Sequence, residues 1–173
     1  MGTMEWYRQF LANPLAVQIE VMESFPKQTY RNRCTITTPD GALTLSVPVK
    51  RVDSKQLTRD VEISYQQRWQ HQHWIALVSA YKRTPYFDYY ADFFRPFYEQ
   101  ETRFLVDFNE KIHQVLHQLI RNSEFIIQNS KFTTDWQGLD LEPCFGNGLS
   151  ILDLLFEYGP ETIIKLNNTN SIN

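Results

Sequence analysis

The period of the apolar residues changes from two to about 3.6 near residue 64, and this change restricts the chain to a mixed fold. Before it, residues 33–38 and 42–49 have the composition of strands, and Pro39-Asp40-Gly41 between them is typical of a hairpin turn. After it, apolar residues follow helical spacing. We therefore predict one α/β domain (mixed α and β) over residues 5–166. It has a small sheet in the N-terminal third, a helical C-terminal half and a flexible tail at residues 167–173.

The apolar spacing and the turn-forming residues also predict the individual elements. Helices are predicted at residues 5–12, 86–94, 99–121 and 150–158. A further helix is predicted from the helical spacing of residues 70–81, with Ser64 as its candidate N-cap and Pro85 as its stop. Further strands are predicted at residues 15–22, 61–63 and 125–128. Because proline has no backbone N–H, we expect the helical path to break at Pro96.

Net charge and cysteine content argue against several classes of function. The 173 residues have a formal net charge of −3, which is unfavourable for a general nucleic-acid-binding protein. Two cysteines without a Cys-x-x-Cys motif fit a reduced, cytoplasmic protein better than a disulfide scaffold. No apolar run reaches membrane-spanning length, and no secretory signal pattern opens the chain. We expect a cytoplasmic protein with no membrane span and no nucleic-acid partner.

The run Lys-Gln-Thr-Tyr-Arg-Asn-Arg-Cys at residues 27–34 is the densest group of functional side chains in the sequence. Alternation along a strand would place Arg31 and Arg33 on one face and Tyr30 and Asn32 on the other. Two guanidiniums on one face, with the lysine of the run close by, suit a phosphate or a carboxylate. The run is therefore a candidate site for an anionic ligand.

A structural role for the same arginines is the alternative. Arginines at the start of a strand can hold the fold together by binding backbone carbonyls and buried carboxylates, such as that of Glu20. In that case Arg31 and Arg33 would be paired within the protein and would not face an open cleft.

Metal binding and nucleophilic catalysis have weaker support. His113 and His117 are one helical turn apart and could bind one metal ion, but the sequence defines no third ligand. We predict exposed, solvated histidines and no metal site. Cys34 follows a cationic residue, yet a strand cysteine is more often a small buried hydrophobe.

An unusually aromatic segment occupies residues 69–90. Most of its rings are expected in the core because they bury large areas. Tyrosines and a histidine at this density can also line a pocket for a sugar or a base, and we assign Tyr81 to substrate binding. His73 is the best candidate for a general base because histidine titrates near neutrality, although a structural histidine is the alternative.

Four blocks, in order along most of the chain, resemble the WbqC-like family. They are residues 27–34, Leu-Ser-Val-Pro-Val at residues 45–49, the block from Trp69 through His73-Trp74, Ala80-Tyr81 and Pro85 to Tyr90, and Leu-Ser-Ile-Leu-Asp-Leu-Leu-Phe at residues 149–156 with Gly159-Pro160. The resemblance implies a bacterial protein encoded with surface-polysaccharide and O-antigen biosynthesis genes. It also transfers functional roles to the motif positions, which are Lys27, Arg31, Asn32, Arg33 and His73.

These observations predict a transferase-like enzyme of surface-polysaccharide biosynthesis that acts on a sugar-linked or phosphate-bearing substrate. Arg31 and Arg33 would hold the anionic group of a small molecule such as an activated sugar. Asn32 would orient the ligand, Lys27 would add charge, and His73 would serve as the base. The alternative is a non-catalytic anion-binding or assembly module. The sequence defines no cofactor and no oligomeric state.

Overall fold

The computed structural model describes residues 2–12, 20–25, 30–53, 55–121 and 149–168. The helices are α1 (Met4–Ala12), α2 (Trp69–Tyr81), α3 (Phe87–Glu99), α4 (Leu105–Arg121), α5 (Ile151–Tyr158) and α6 (Thr162–Asn168). The strands are β1 (Arg33–Thr38) and β2 (Gly41–Ser46), and short 3-10 turns occupy Thr58–Asp60 and Gly159–Glu161. The mixed fold with an early small sheet and later helices is confirmed.

The hairpin forms where the turn sequence predicts it. Strands β1 and β2 are antiparallel, and Thr38 pairs with Gly41 across Pro39 and Asp40. Gly41 has φ 115°, which favours glycine, and its carbonyl accepts a 2.7 Å hydrogen bond from the Thr38 hydroxyl. Strand β1 has the predicted bounds, whereas β2 ends at Ser46 and not at residue 49.

Residues near Thr3 and the segment that leads into α5 extend this sheet beside β1. Leu149 forms a parallel bridge with Thr35, and the Ser150 N–H donates to the Thr35 carbonyl at 2.7 Å. Thr3 then bridges Ser150 in the antiparallel direction. The second edge of β1 is thereby covered, which protects it from pairing with another chain.

A second set of extended segments forms a ribbon from residues 48–50, 61–64 and 103–105. Val49 bridges Ile63, and Glu62 bridges Phe104. The Ile63 N–H donates to the Arg103 carbonyl at 2.9 Å. The strand predicted at residues 61–63 is therefore present only as isolated bridges. We call this element the three-segment ribbon.

The core lies between the inner face of the hairpin and the helices. Cys34, Ile36 and Leu45 are buried on the hairpin. Helices α2 and α5 both contact β1. Every fourth residue of α2 is buried, which is the spacing of one helix face; the four are Trp69, His73, Leu77 and Tyr81.

The bounds of α3 and α4 differ from the prediction by several residues, and α2 has Arg68 at its N-cap instead of Ser64. Helix α3 continues through Pro96, so the predicted break is wrong. Proline leaves the carbonyl four residues earlier without its helical donor, but Asp92 and Pro96 both lie on the exposed side, where water can replace it. Helix α4 begins at Leu105, since residues 101–104 lead into the three-segment ribbon instead of the helix.

Three predicted elements lie at or beyond the ends of the described ranges. The strand predicted at residues 15–22 falls largely outside the described residues, and residues 20–22 are not in a strand. The strand predicted at residues 125–128 lies wholly outside them. Helix α6 extends to Asn168 and so includes the first two residues of the predicted tail.

Candidate functional site

The motif residues 30–32 form a turn that leads into β1, which begins at Arg33. The Arg33 N–H donates to the Tyr30 carbonyl at 3.4 Å. Because Arg31 and Asn32 precede the strand, strand alternation does not determine which way they point. We call residues 30–32 the motif turn. Lys27 lies outside the described residues.

Asn32 joins the motif turn to the residue that follows β2. Its side-chain Nδ2 donates to the Val47 carbonyl at 3.0 Å, and the Val47 N–H donates to the Asn32 carbonyl at 2.8 Å. This reciprocal pair closes the open end of the hairpin. The side-chain amide predicted to orient a ligand is thus bonded to the backbone.

Arg31 is half-buried and forms an ion pair with Glu23. Burial lowers the pKa of the Arg31 guanidinium, which still remains protonated because its ordinary pKa exceeds 12. The Asn109 side chain on α4 donates to the Arg31 carbonyl at 2.7 Å. Among the described residues, the carboxylate that pairs with Arg31 is that of Glu23. A side-chain oxygen of Glu20 instead accepts from the Met22 N–H at 2.6 Å.

Arg33 differs from Arg31 in its surroundings. Its side chain is exposed, and its strand partner on β2 is Ser46. Within the described parts of the chain, no carboxylate forms an ion pair with Arg33. It is therefore the motif arginine that a dissolved anion can reach without displacing a described carboxylate.

His73 lies at the same end of the hairpin but inside the core. It is 8% exposed, lies beside the backbone of Ser46, and is edge-on to the ring of Trp69 at 5.1 Å. Tyr98 approaches from α3, with ring centroids 6.3 Å apart. Burial lowers the pKa of His73 to about 4, so the imidazole is neutral at pH 7.

Tyr81 lies at the opposite end of the hairpin. It follows His73 by two turns of α2, which is about 12 Å along the helix axis. The Tyr81 hydroxyl donates to Oδ1 of Asp153 at 3.0 Å, and the Thr37 N–H donates to the same oxygen at 3.0 Å. Burial raises the pKa of the Tyr81 phenol, and burial also raises the pKa of Asp153.

The structure therefore separates the predicted site residues into two groups. Arg31, Asn32, Arg33 and His73 lie at the end of the hairpin where β1 begins, and Tyr81 lies where β1 ends. A ligand would need to extend along the hairpin to contact both groups.

Three residues that hold these groups were not identified from the sequence. Glu23 and Asn109 belong to segments far apart in sequence, and no spacing connects either with the motif. Asp153 is part of the block at residues 149–156, which was noted only as a marker of the family. The sequence feature that could have identified Asp153 is a carboxylate within a mostly apolar helix.

His113 is buried, contrary to the prediction that it is exposed. It is 8% exposed, and its Nδ1 lies 3.0 Å from the Tyr7 hydroxyl. Trp6 and Phe10 of α1 contact its ring edge-on, which explains the burial. Across the described ranges, no group of three or more His, Cys, Asp or Glu residues is arranged to hold a metal ion. Cys34 is buried as predicted, and burial raises the pKa of its thiol.

Comparison with known families connects these residues to one group of proteins. A family model described as the WbqC-like protein family matches residues 19–141. The match covers more than half of the chain, so the chain belongs to this family. The matched span includes the motif turn, His73 and Tyr81, whereas Asp153 lies beyond it.

The other comparisons found no relative. No curated protein and no solved structure gave a significant match. None of the helices in the described residues combines the length and apolarity needed to cross a membrane.

Proposed function

We propose that this chain takes part in the biosynthesis of bacterial surface polysaccharides and binds an anionic, sugar-linked substrate at the motif turn. Its membership in the WbqC-like family supports the association with polysaccharides. The observation that carries the binding proposal is the exposed Arg33, held next to the Asn32–Val47 bonds. An activated sugar has phosphate groups, to which a guanidinium binds in a bidentate manner.

Arg31 would add a second cation at the same place. Its guanidinium is oriented by Glu23, and its backbone is held by Asn109. An incoming anion would compete with the Glu23 carboxylate for Arg31. Removal of that carboxylate should therefore strengthen anion binding, if Arg31 contributes to it.

The remaining motif residues would have supporting roles. Asn32 would fix the position of the arginines by closing the hairpin, and Lys27 would contribute further positive charge. Tyr81 would contact only a ligand that extends to the far end of β1, where its hydroxyl is bonded to Asp153.

Group transfer, with His73 as the base, is the more specific form of the proposal. His73 lies beneath the end of the hairpin where Arg33 pairs with Ser46, but its imidazole is on the core side and the Arg33 side chain is on the exposed side. The neutral state of His73 at pH 7 is the state that can accept a proton. Because His73 is only 8% exposed, transfer would require the hairpin or α3 to move away from it.

A non-catalytic binding or assembly module is the second candidate. The side chains of Arg31 and Asn32 bond to protein groups and His73 is buried, which favours a role in holding the hairpin. In this case the motif would present Arg33 to a partner or an anion without performing a reaction.

Thermal unfolding with and without ligands tests the binding proposal. Nucleotide sugars, nucleotides and sugar phosphates are added to the wild type, to Arg33→Ala and to Arg83→Ala, an exposed arginine outside the motif. A ligand at 100 times its Kd stabilises the folded state by about 2.7 kcal/mol. We expect this shift in the wild type and in Arg83→Ala, and its loss in Arg33→Ala. If no compound shifts the wild-type midpoint, anion binding at the motif turn is wrong.

Turnover assays then separate the two candidates. A transferase should release product from the bound activated sugar, and His73→Asn should abolish the reaction while ligand binding persists. Binding without turnover in the wild type, over all acceptors tried, supports the module.

A further inference from the structure

An open cleft lies beside the three-segment ribbon, away from the residues of the family motif. Its volume is about 550 Å³, within the range of about 300–1,000 Å³ that is typical of small-molecule sites. Charged and polar side chains line most of it, including Lys50, Glu62, Gln66, Glu101 and Arg103. We call it the ribbon cleft.

The floor of the cleft is held by backbone hydrogen bonds between three distant segments. The Lys50 N–H donates to the Glu62 carbonyl at 2.9 Å, and the Leu105 N–H donates to the Val61 carbonyl at 2.9 Å. Tyr65 fixes one wall, since its hydroxyl donates to the Thr102 carbonyl at 2.9 Å and accepts from the Thr102 N–H at 2.7 Å. A site whose walls are fixed before binding loses little conformational entropy when a ligand enters.

Glu62 holds two cations at the surface of the cleft. Lys50 Nζ donates to its Oε2 at 2.6 Å, and Arg103 donates to its Oε1 from Nε at 3.0 Å and from a terminal nitrogen at 2.8 Å. These hydrogen bonds, that of Lys50 first, lower the pKa of Glu62, which stays ionised. One carboxylate thus orients two cations.

Both cations keep hydrogen-bond donors beyond those that Glu62 uses. A guanidinium has five N–H donors, and Glu62 occupies two of those of Arg103, so three remain. An ammonium has three donors, and Glu62 occupies one of those of Lys50, so two remain. Both side chains are well exposed, at 72% for Arg103 and 63% for Lys50. An anionic group entering the cleft can therefore bind both.

The other lining groups favour a ligand with several hydroxyls. Glu101 and Gln66 are exposed at the cleft, where a carboxylate accepts from hydroxyls and an amide both donates and accepts. The fixed Tyr65 ring adds apolar surface for the carbon face of a sugar ring.

We propose that the ribbon cleft binds a small saccharide that has a carboxylate or phosphate group. Lys50 and Arg103 bind the anionic group, and Glu101 and Gln66 bind the sugar hydroxyls. This site is separate from the motif turn and does not depend on the function proposed there. The two sets of contacts have different effects. The contacts to the anionic group supply most of the affinity, and the contacts to the hydroxyls supply selectivity among anions.

Titration calorimetry with the full chain tests the proposal. The probes are glucuronate, glucose 1-phosphate, glucose and inorganic phosphate, each titrated to about 10 mM, a concentration that detects even millimolar affinity. We expect both anionic sugars to bind, and glucose and inorganic phosphate to bind at least about tenfold more weakly, since each lacks one set of contacts. The affinity of glucuronate relative to glucose 1-phosphate distinguishes the two anionic groups.

Variants locate the binding. Arg103→Ala should weaken the anionic sugars by about tenfold or more, the effect of one lost charge-assisted hydrogen bond. Arg95→Ala is the matched control, because Arg95 also pairs with a glutamate and lies over an aromatic ring but is outside the cleft. Gln66→Ala, on an exposed side chain, should weaken the anionic sugars without changing the affinity for inorganic phosphate.

Three results would overturn the ribbon cleft as a saccharide site. One is an absence of heat from both anionic sugars, and another is equal binding by wild type and Arg103→Ala. The third is loss of binding in Arg33→Ala with full binding in Arg103→Ala, which would place the sugar at the motif turn and support the proposed function instead.

Discussion

The Tyr81 hydroxyl donates a 3.0 Å hydrogen bond to Oδ1 of Asp153, which connects α2 with α5 across 72 residues of sequence. The Thr37 N–H donates to the same oxygen, so strand β1 meets both helices at this point. Oδ2 of Asp153 is buried and has no hydrogen-bond partner among the described residues. The carboxylate therefore depends on two donors to compensate for its desolvation.

Loss of the tyrosine hydroxyl should destabilise the fold. Tyr81→Phe keeps the ring in the core but removes one of the two donors to a desolvated carboxylate. We expect a loss of about 1.5–3 kcal/mol in the free energy of unfolding, measured by urea denaturation at pH 7. The control is Tyr89→Phe, on a side chain 74% exposed, which should change stability by less than about 0.5 kcal/mol. Equal effects of the two substitutions would contradict the role of this bond.

The charge of Asp153 should oppose folding at neutral pH. Its pKa is raised in the folded state above 3.8, so folding favours the protonated carboxyl. The stability that this group contributes is fully present below pH 3.8 and is lost as pH rises through the folded pKa. Asp153→Asn keeps an acceptor for Tyr81 and Thr37 but has no charge. We expect Asp153→Asn to be at least as stable as wild type at pH 7. At pH 3.5 the difference in unfolding free energy between Asp153→Asn and wild type should shift in favour of the wild type.

Urea denaturation of both proteins at the two pH values provides the measurement. Asp153→Ala is the contrasting variant, because it leaves the Tyr81 hydroxyl and the Thr37 N–H without their acceptor. It should lose about 1–3 kcal/mol at pH 3.5 and less than that at pH 7, where the charge of Asp153 already destabilises the wild type. A larger loss for Asp153→Asn at pH 7 than at pH 3.5 would mean that the fold needs the carboxylate in its ionised form.

His113 should make the fold sensitive to acid. Burial lowers the pKa of His113 from 6.5 to about 4, so its neutral form is favoured in the folded state. The stability that this provides is present above pH 6.5 and is lost as pH falls through 4, by up to roughly 3 kcal/mol. His113→Gln removes the titration, and the dependence of unfolding free energy on pH between 6.5 and 4 should become shallower. Gln118→Ala, on the exposed side of α4, should leave it unchanged.

The local features of the fold could be predicted from the sequence, whereas contacts between distant segments could not. Strand β1 has its predicted bounds because alternation and the Pro39-Asp40-Gly41 turn both act within a few residues. The three-segment ribbon is joined by single bridges, Val49 with Ile63 and Glu62 with Phe104, and isolated bridges leave no periodic pattern in the sequence. The burial of His113 follows from the packing of α1, a long-range contact that spacing along α4 does not reveal.

The candidate site shows the same limit. Composition identified the motif as a group of cations, and its position at one end of the hairpin follows from β1. The partners of its side chains come from elsewhere: Glu23 for Arg31 and Val47 for Asn32. Only these partners determine which cation is exposed, and on this point Arg31 and Arg33 differ.

Gly159 should tolerate no side chain, for two separable reasons. It ends α5 with φ 51°, a conformation that costs other residues about 1–2 kcal/mol. A Cβ at this position would also lie 2.4 Å from the ring of Tyr86. We expect Gly159→Ala to lose about 2–4 kcal/mol in the free energy of unfolding, measured by urea denaturation.

Gly41→Ala separates the backbone cost from the steric one. Gly41 also has a positive φ, of 115°, but a Cβ there would meet no atom within 4 Å. This variant should therefore lose only the backbone component, about 1–2 kcal/mol. In the double variant Tyr86→Ala with Gly159→Ala, the steric component is absent. The loss of unfolding free energy in the double variant should therefore be smaller than the sum of the losses in the two single variants. Strict additivity would show that the Tyr86 ring moves aside without cost and that the backbone conformation alone requires glycine at position 159.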